Sequence, residues 1–183
     1  MIFSMRSNEF PPKARMKMVA RNKAMVVYAA LVTLSIIWIG LIFAAPWLMA
    51  ERRFFASTII YQGFSAVCHQ IVERSFHFHG FPLGVCSRCT GVYAGFVIGL
   101  ALYPFLRDLR EEKFPARWIL IVSAIPVVID FTGGFLGLFT NTFLSRALTG
   151  ALFGAVAAFY ILPGLISTFN DMRASFASSK ASY

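Results

Sequence analysis

Charge is what this sequence lacks. Only 8 of its 183 residues are Asp or Glu, and charged residues of both signs make up 14%, against about 25% in an ordinary soluble domain. Hydrophobic residues reach 58% and the mean hydropathy is +0.69. That balance excludes a disordered chain, a collagen-like chain and most soluble globular domains. Internal repeats are missing. Histidine and cysteine are absent everywhere except between residues 68 and 89. The H-x-E followed by P-C-x-x-C of zinc deaminases is also missing: His69 precedes Gln70 and Ile71, and Pro82 stands four residues before Cys86.

The charge that remains is mostly basic and segregated. Lys and Arg number 17, giving a net charge of +9. Arg6, Lys13, Arg15, Lys17, Arg21 and Lys23 crowd residues 1–23, with Glu9 as the one acid among them. A basic tail ahead of a long apolar run fits anionic lipid headgroups and a cytoplasmic N-terminus, and no nucleic-acid partner is expected.

What is present in quantity is uncharged apolar sequence. Residues 24–50 hold no Lys, Arg, Asp or Glu. A span needs about 20 such residues, and this run is too long for a signal-peptide core. Further candidate spans cover 90–106, 118–139 and 147–169. The sequence predicts an all-α integral membrane protein: a four-transmembrane-helix bundle with a short Cys/His-rich extramembrane cap. The membrane domain covers 24–169 and the cap about 54–89. Residues 170–183 are read as a mobile tail. The uncharged stretch from Phe54 to Val72 is interrupted by Gln62, Gly63, His69 and Gln70; it reads as a fifth span, a re-entrant helix or an interfacial helix. Four spans put 12 cations inside and five outside, whereas five spans put nine against eight. The positive-inside rule selects four, with the cap extracytoplasmic in the cell membrane.

Glycines recur at intervals of four: Gly91, Gly95 and Gly99 in the second span, Gly133 and Gly137 in the third, Gly150 and Gly154 in the fourth. Such spacing lines one helix face and lets backbones approach. Packing within the chain is the plainer use, a homo-oligomer interface the alternative.

Chemistry concentrates where cysteine and histidine do. Cys86-Ser87-Arg88-Cys89 is a C-x-x-C, whose gap lets two sulfurs turn to one point. Cys68-His69 precedes it. Together they approach a Cys₃His or Cys₂His₂ zinc set: Cys68, His69, Cys86 and Cys89, with His77 or His79 as alternates. In an extended segment, His77 and His79 face one way and Phe76 and Phe78 the other. Three buried, inert cysteines are the bland alternative.

Glu73 follows His69 by four residues, so a helix would put both on one face, with Glu73 as a base beside a metal. An ion pair with Arg74 is the plainer role. Asp130 is the one acid inside a proposed span, and a carboxylate at that depth demands a partner. Arg88 begins the second span and Arg146 the fourth, and Asn141 precedes Arg146 in the outer turn. Arg74, Arg88, Arg146 and Asn141 are candidate ligands for an anionic headgroup or substrate, with Asp130 as counter-ion or proton acceptor. A buried Asp130–Arg pair fixing helix register is the structural alternative.

Two resemblances bear on this pattern. The C-x-x-C at the start of a span resembles the layout of four-helix thiol–quinone oxidoreductases, which implies quinone as a ligand; the second cysteine pair usual there is missing. More specifically, Cys68-His69-Gln70, Glu73-Arg74-Ser75-Phe76, Cys86 to Gly95, Asp130-Phe131-Thr132-Gly133, and Asn141-Thr142 with Arg146 and Thr149-Gly150 resemble an uncharacterised prokaryotic family of small predicted membrane proteins, classed as a domain of unknown function. That resemblance covers about 60–155 and implies one shared site; it implies no reaction. The expectation is a zinc-organised, Arg-lined pocket at the membrane boundary for an anionic or lipid-like ligand, in a protein acting alone or as a subunit of a larger membrane complex. The alternatives are thiol–quinone oxidation through Cys86 and Cys89, or zinc-dependent lipid hydrolysis with Glu73 as base.

Overall fold

The computed structural model describes the backbone of residues 12–181 except 110 and 112, and the side chains of 24–171 with the same exceptions. The basic tail's residues 1–11 and the side chains of 12–23 lie outside the described residues, as do the side chains beyond 171. The helices are α1 (Pro12–Ala50), α2 (Phe54–Ser65), α3 (Ser87–Leu106), α4 (Arg117–Phe135) and α5 (Phe143–Ala181). Between α2 and α3 lie a 3₁₀ turn, Val72–Arg74, and a small hairpin of β1 (His77–Phe78) and β2 (Phe81–Pro82).

The protein is an all-helical membrane protein with four helices fit to cross a bilayer. They are Ala24–Ala50, Ser87–Leu106, Arg117–Phe135 and Phe143–Asp171, with mean hydropathies from 1.7 to 2.5. α2 has 12 residues, about 18 Å of helix against a hydrocarbon core of about 30 Å. The ambiguous stretch is therefore a short helix folded back on α1, not a fifth span. Arg52 makes the reversal in a left-handed conformation (φ 58°). Ser57 Oγ then donates to Ala45 O at 2.8 Å, and Phe64 packs edge-on against Trp38 with ring centroids 5.0 Å apart.

Prolines inside the spans free carbonyls for tertiary use. Pro46 has no N–H to give Ile42 O, and that carbonyl instead accepts the Gly84 amide at 3.1 Å. Pro104 likewise leaves Leu100 O free, and it accepts the Tyr28 hydroxyl at 3.1 Å. The first bond anchors the cap to α1; the second ties α1 to α3.

Lipid tails are as apolar as leucine, so close packing rather than apolar burial must hold the spans together. The α3–α5 contact supplies it. A Cβ at Gly91, Gly95 or Gly99 would come within 2.4 Å of the carbonyl oxygens of Ala147, Ala151 and Ala155 respectively. From the other side, Gly150 faces Arg88 O and Gly154 faces Val92 O as closely. These glycines serve packing within the chain.

The third helix departs from its sequence reading. It stops at Phe135, not 139, and Gly137 is not part of a packing face. Gly137 adopts φ 70° just past the helix, and Leu138 N–H returns to Gly133 O at 2.9 Å, a glycine-dependent stop. Thr142 Oγ1 then accepts the Ser145 amide at 3.0 Å, so α5 starts at Phe143 rather than 147. At its far end α5 continues past 169 to Ala181. The α3 helix likewise starts three residues earlier than read, at Ser87.

Candidate metal centre

The end of the bundle where α1 and α4 finish and α3 and α5 begin carries the cluster of chemistry. Cys86 is the N-cap of α3 and Cys89 lies one turn along it, so both sulfurs share a face. Cys68 comes from the loop after α2. Gln70 brings that loop in: its side-chain amide donates to Tyr61 O at 2.8 Å and to Gly84 O at 2.7 Å. Gln70 itself sits at φ 49°, turning the chain sharply after Cys68. Gly84 in turn hangs on the carbonyl that Pro46 frees. Leu83 and Val85, flanking it, are buried with Ile42, Phe64 and Cys68, so the loop is packed as well as hydrogen-bonded.

The three Sγ atoms lie within 4.8 Å of one another. Tetrahedral zinc with Zn–S of about 2.3 Å would set them about 3.8 Å apart, a contraction of about 1 Å at most. Cys68 is buried and Cys86 and Cys89 are half-buried; all three are free thiols. Two amides point at Cys68 Sγ, Cys86 N–H at 3.2 Å and Gln70 N–H at 3.5 Å. The Cys86 thiol is drawn down to about 5: the Cys89 thiol beside it is the main cause, burial opposes, and the amides of Cys89 and Arg88 and the Cys68 thiol assist. Three soft sulfurs fit zinc better than a hard cation.

The histidines stay outside this group. His69, His77 and His79 are all exposed, and the sulfur cluster contains none of them. The alternating strand expected at 76–79 is interrupted, because His79 (φ 52°) and Gly80 (φ 84°) form the tight hairpin turn between Phe78 and Phe81. His79 packs its ring on Phe78 instead, 4.4 Å between centroids. Nor is there a helix to align Glu73 with His69: Val72–Arg74 is a single 3₁₀ turn, and Glu73 is exposed on it.

Beside the sulfurs lies the polar network built on Asp130. Arg88, inside the C-x-x-C, pairs its Nη2 with Asp130 Oδ2, and its guanidinium lies 5.5 Å over the Phe131 ring. Ser145 Oγ donates to Asp130 Oδ1 at 2.9 Å, and Asn141 Nδ2 donates to the Asp130 main-chain carbonyl. Asn141 fits there because Gly134 leaves room: a Cβ at 134 would lie 2.1 Å from Asn141 Oδ1. One carboxylate thus joins α3, α4 and α5 with both oxygens engaged, which supports its structural role. Arg146 is half-buried within Coulombic reach of Arg74, Arg88, Asp130 and Cys86. Gln70 and Ser145 are the contributors that the sequence reading did not single out.

Four spans with a thiol cluster at one end define a polytopic membrane protein. The chain belongs to the family described as "Predicted membrane protein (DUF2085)", which it matches over residues 68–160, the stretch holding every cysteine together with Asp130 and Arg146. It is 39% identical over 109 residues to an uncharacterised protein of Methanocaldococcus jannaschii, covering 60% of this chain and 70% of that one. It is 41% identical over 69 residues to an uncharacterised protein of Methanothermobacter thermautotrophicus, covering 37% of this chain and 59% of that one. No solved structure matches it.

Proposed function

We propose that Cys68, Cys86 and Cys89 hold one zinc ion that organises the Arg-lined end of the bundle as a binding site for an anionic ligand. The observation that carries this reading is the convergence of three sulfurs from two separate segments, held by Gln70 and by the carbonyl that Pro46 frees. The three thiolates occupy three positions and leave a fourth open. Their three negative charges outweigh the ion's two positive ones, so water in the fourth position is less acidified than the about 7 of neutral His₃ zinc sites. That favours binding or structural work over lipid hydrolysis, and an exposed Glu73 gives hydrolysis no base beside the metal. The cation count favours an extracytoplasmic side for this end, near lipid headgroups, where it serves alone or within a larger membrane complex.

The test is zinc per chain in detergent-purified protein, wild type against Cys68→Ser and His69→Ala. About one zinc in wild type and in His69→Ala, with loss in Cys68→Ser, is the expected result. Equal zinc in the cysteine variant, or none in any, overturns the reading.

A second reading has its own support. The lowered Cys86 thiol is a nucleophile, and an apolar cavity of about 400 Å³ opens between α1, α3 and α5, lined by Trp38, Tyr93, Phe96 and Phe153. Trp38 and Tyr93 also pack against the apolar cluster that contains Cys68. Oxidation of Cys86 and Cys89 to a disulfide would pass two electrons and two protons to a quinone in that cavity, giving the quinol. Metal-free protein that reduces a soluble quinone, with loss of two thiols per turnover, would favour it.

A further inference from the structure

Trp38 stands where a tryptophan has no wet partner. It lies 14 residues past Ala24 and 12 before Ala50 on a charge-free run, about 21 Å and about 18 Å of helix from the two ends. Tryptophan usually sits at a membrane interface, with its ring in lipid and its N–H in water. Here the indole is at mid-span, and its buried Nε1 has no hydrogen-bond partner among the described residues. A donor left unpaired at that depth is costly, because lipid tails accept no hydrogen bond and bulk water is absent.

The same side chain lines the apolar cavity of about 400 Å³ between α1, α3 and α5, together with Leu34 of α1, Phe96 of α3, and Phe153 and Ala157 of α5. Ser35 lines it too, but spends its hydroxyl proton on Leu31 O at 2.7 Å. Leu34 is 63% exposed, so the cavity opens on the lipid-facing side of the bundle. Three spans wall it, and what reaches it is dissolved in the membrane. Its volume is at the small end for ligand sites, about 300–1,000 Å³, with room for one apolar chain rather than two. Trp38 and Tyr93, both in its lining, pack on the apolar cluster that contains Cys68, so this part of the cavity adjoins the thiols.

We propose that this cavity binds a single-chain lipid whose head presents an acceptor oxygen to Trp38 Nε1, with the chain lying against Phe96, Phe153 and Ala157. The chain is as well placed among bilayer tails as in the cavity, so it adds fit and little selectivity. Selectivity comes from the hydrogen bond, which a pure hydrocarbon cannot make. The inference needs neither a metal nor electron transfer, so it is independent of both readings above.

The experiment uses the full chain in lipid nanodiscs, with a diazirine-bearing palmitic acid as photolabel. Methyl palmitate, geranylgeraniol and hexadecane compete with it at equal mole fraction in the disc. Saturable labelling around Phe96, Phe153 and Ala157, read by mass spectrometry, is expected. The ester and the alcohol should compete about tenfold better than hexadecane, the worth of one hydrogen bond to a donor otherwise unpaired. The better of the two tells an acyl from an isoprenoid chain. Trp38→Phe keeps a ring and removes the donor, so the preference for oxygenated chains should vanish while labelling persists. Ala157→Phe fills the cavity and should abolish labelling there. Labelling that does not saturate, hexadecane competing as well as the oxygenated chains, or a Trp38→Phe protein that still prefers them overturns the inference. So does an Ala157→Phe protein that labels like wild type. The zinc content of the same preparations bears on the metal reading alone.

Discussion

Gln70 shows how one uncharged side chain can draw two cysteine-bearing segments together. Its amide spans from Tyr61 O to Gly84 O and so sets the distance between the loop of Cys68 and the helix of Cys86. Gln70→Ala should lower metal affinity by about 10- to 100-fold, the usual cost of losing an outer partner, measured by competition with a chromophoric chelator. Asp130→Asn should destabilise the folded protein by about 3 kcal/mol, because it leaves the Arg88 charge without a counter-ion. A double change, Arg88→Met with Asp130→Leu, should cost less than Asp130→Asn alone; thermal unfolding in detergent measures both. At this scale the sequence marked the cysteines and the need of Asp130 for a partner, because clustering and the cost of intramembrane charge stand out; which arginine would pair with it stayed open. It gave Gln70 no role beyond its place in the Cys68-His69-Gln70 motif and passed over Ser145, since an amide and a hydroxyl follow no period. It also over-weighted His77 and His79: a ligand type says nothing of direction, and the turn at His79-Gly80 points them out.

Helices here are defined by what interrupts them. Pro46 lies inside α1, and the carbonyl it frees carries the cap. Pro46→Ala should let residue 46 reclaim Ile42 O, release Gly84 and weaken metal binding with the helix itself intact; circular dichroism and chelator competition separate the two effects. On α3, Gly95→Leu places a side chain where Ala151 O lies 2.0 Å from even a Cβ, so α3 and α5 must part. A loss of about 1–3 kcal/mol or more is expected, the cost of overpacking, read from thermal unfolding in detergent. Span number was legible because hydrophobic runs near 20 residues have few other uses. Span ends were less so. Gly137 stops α4 within a run, Phe135 to Phe139, that is apolar throughout, and hydropathy does not see a left-handed backbone.

Over the whole molecule, the polar chemistry gathers at one end of a bundle held by backbone contact. α3 and α5 form its tight axis, and α1 carries the cap through α2 and the Gly84 anchor. That arrangement makes the cysteine end separable from the spans: removing metal should loosen residues 66–86 while the α3–α5 contact persists. Hydrogen exchange with and without chelator tests this, with faster exchange expected in the cap and little change in α3 and α5. Zinc K-edge X-ray absorption on protein purified without added metal reads directly whether the three cysteines share one zinc. About one zinc per chain is expected, with three sulfurs at about 2.3 Å and a fourth ligand from outside the chain. Zinc bound only by nitrogen and oxygen, or no zinc and a Cys86–Cys89 disulfide, would contradict it.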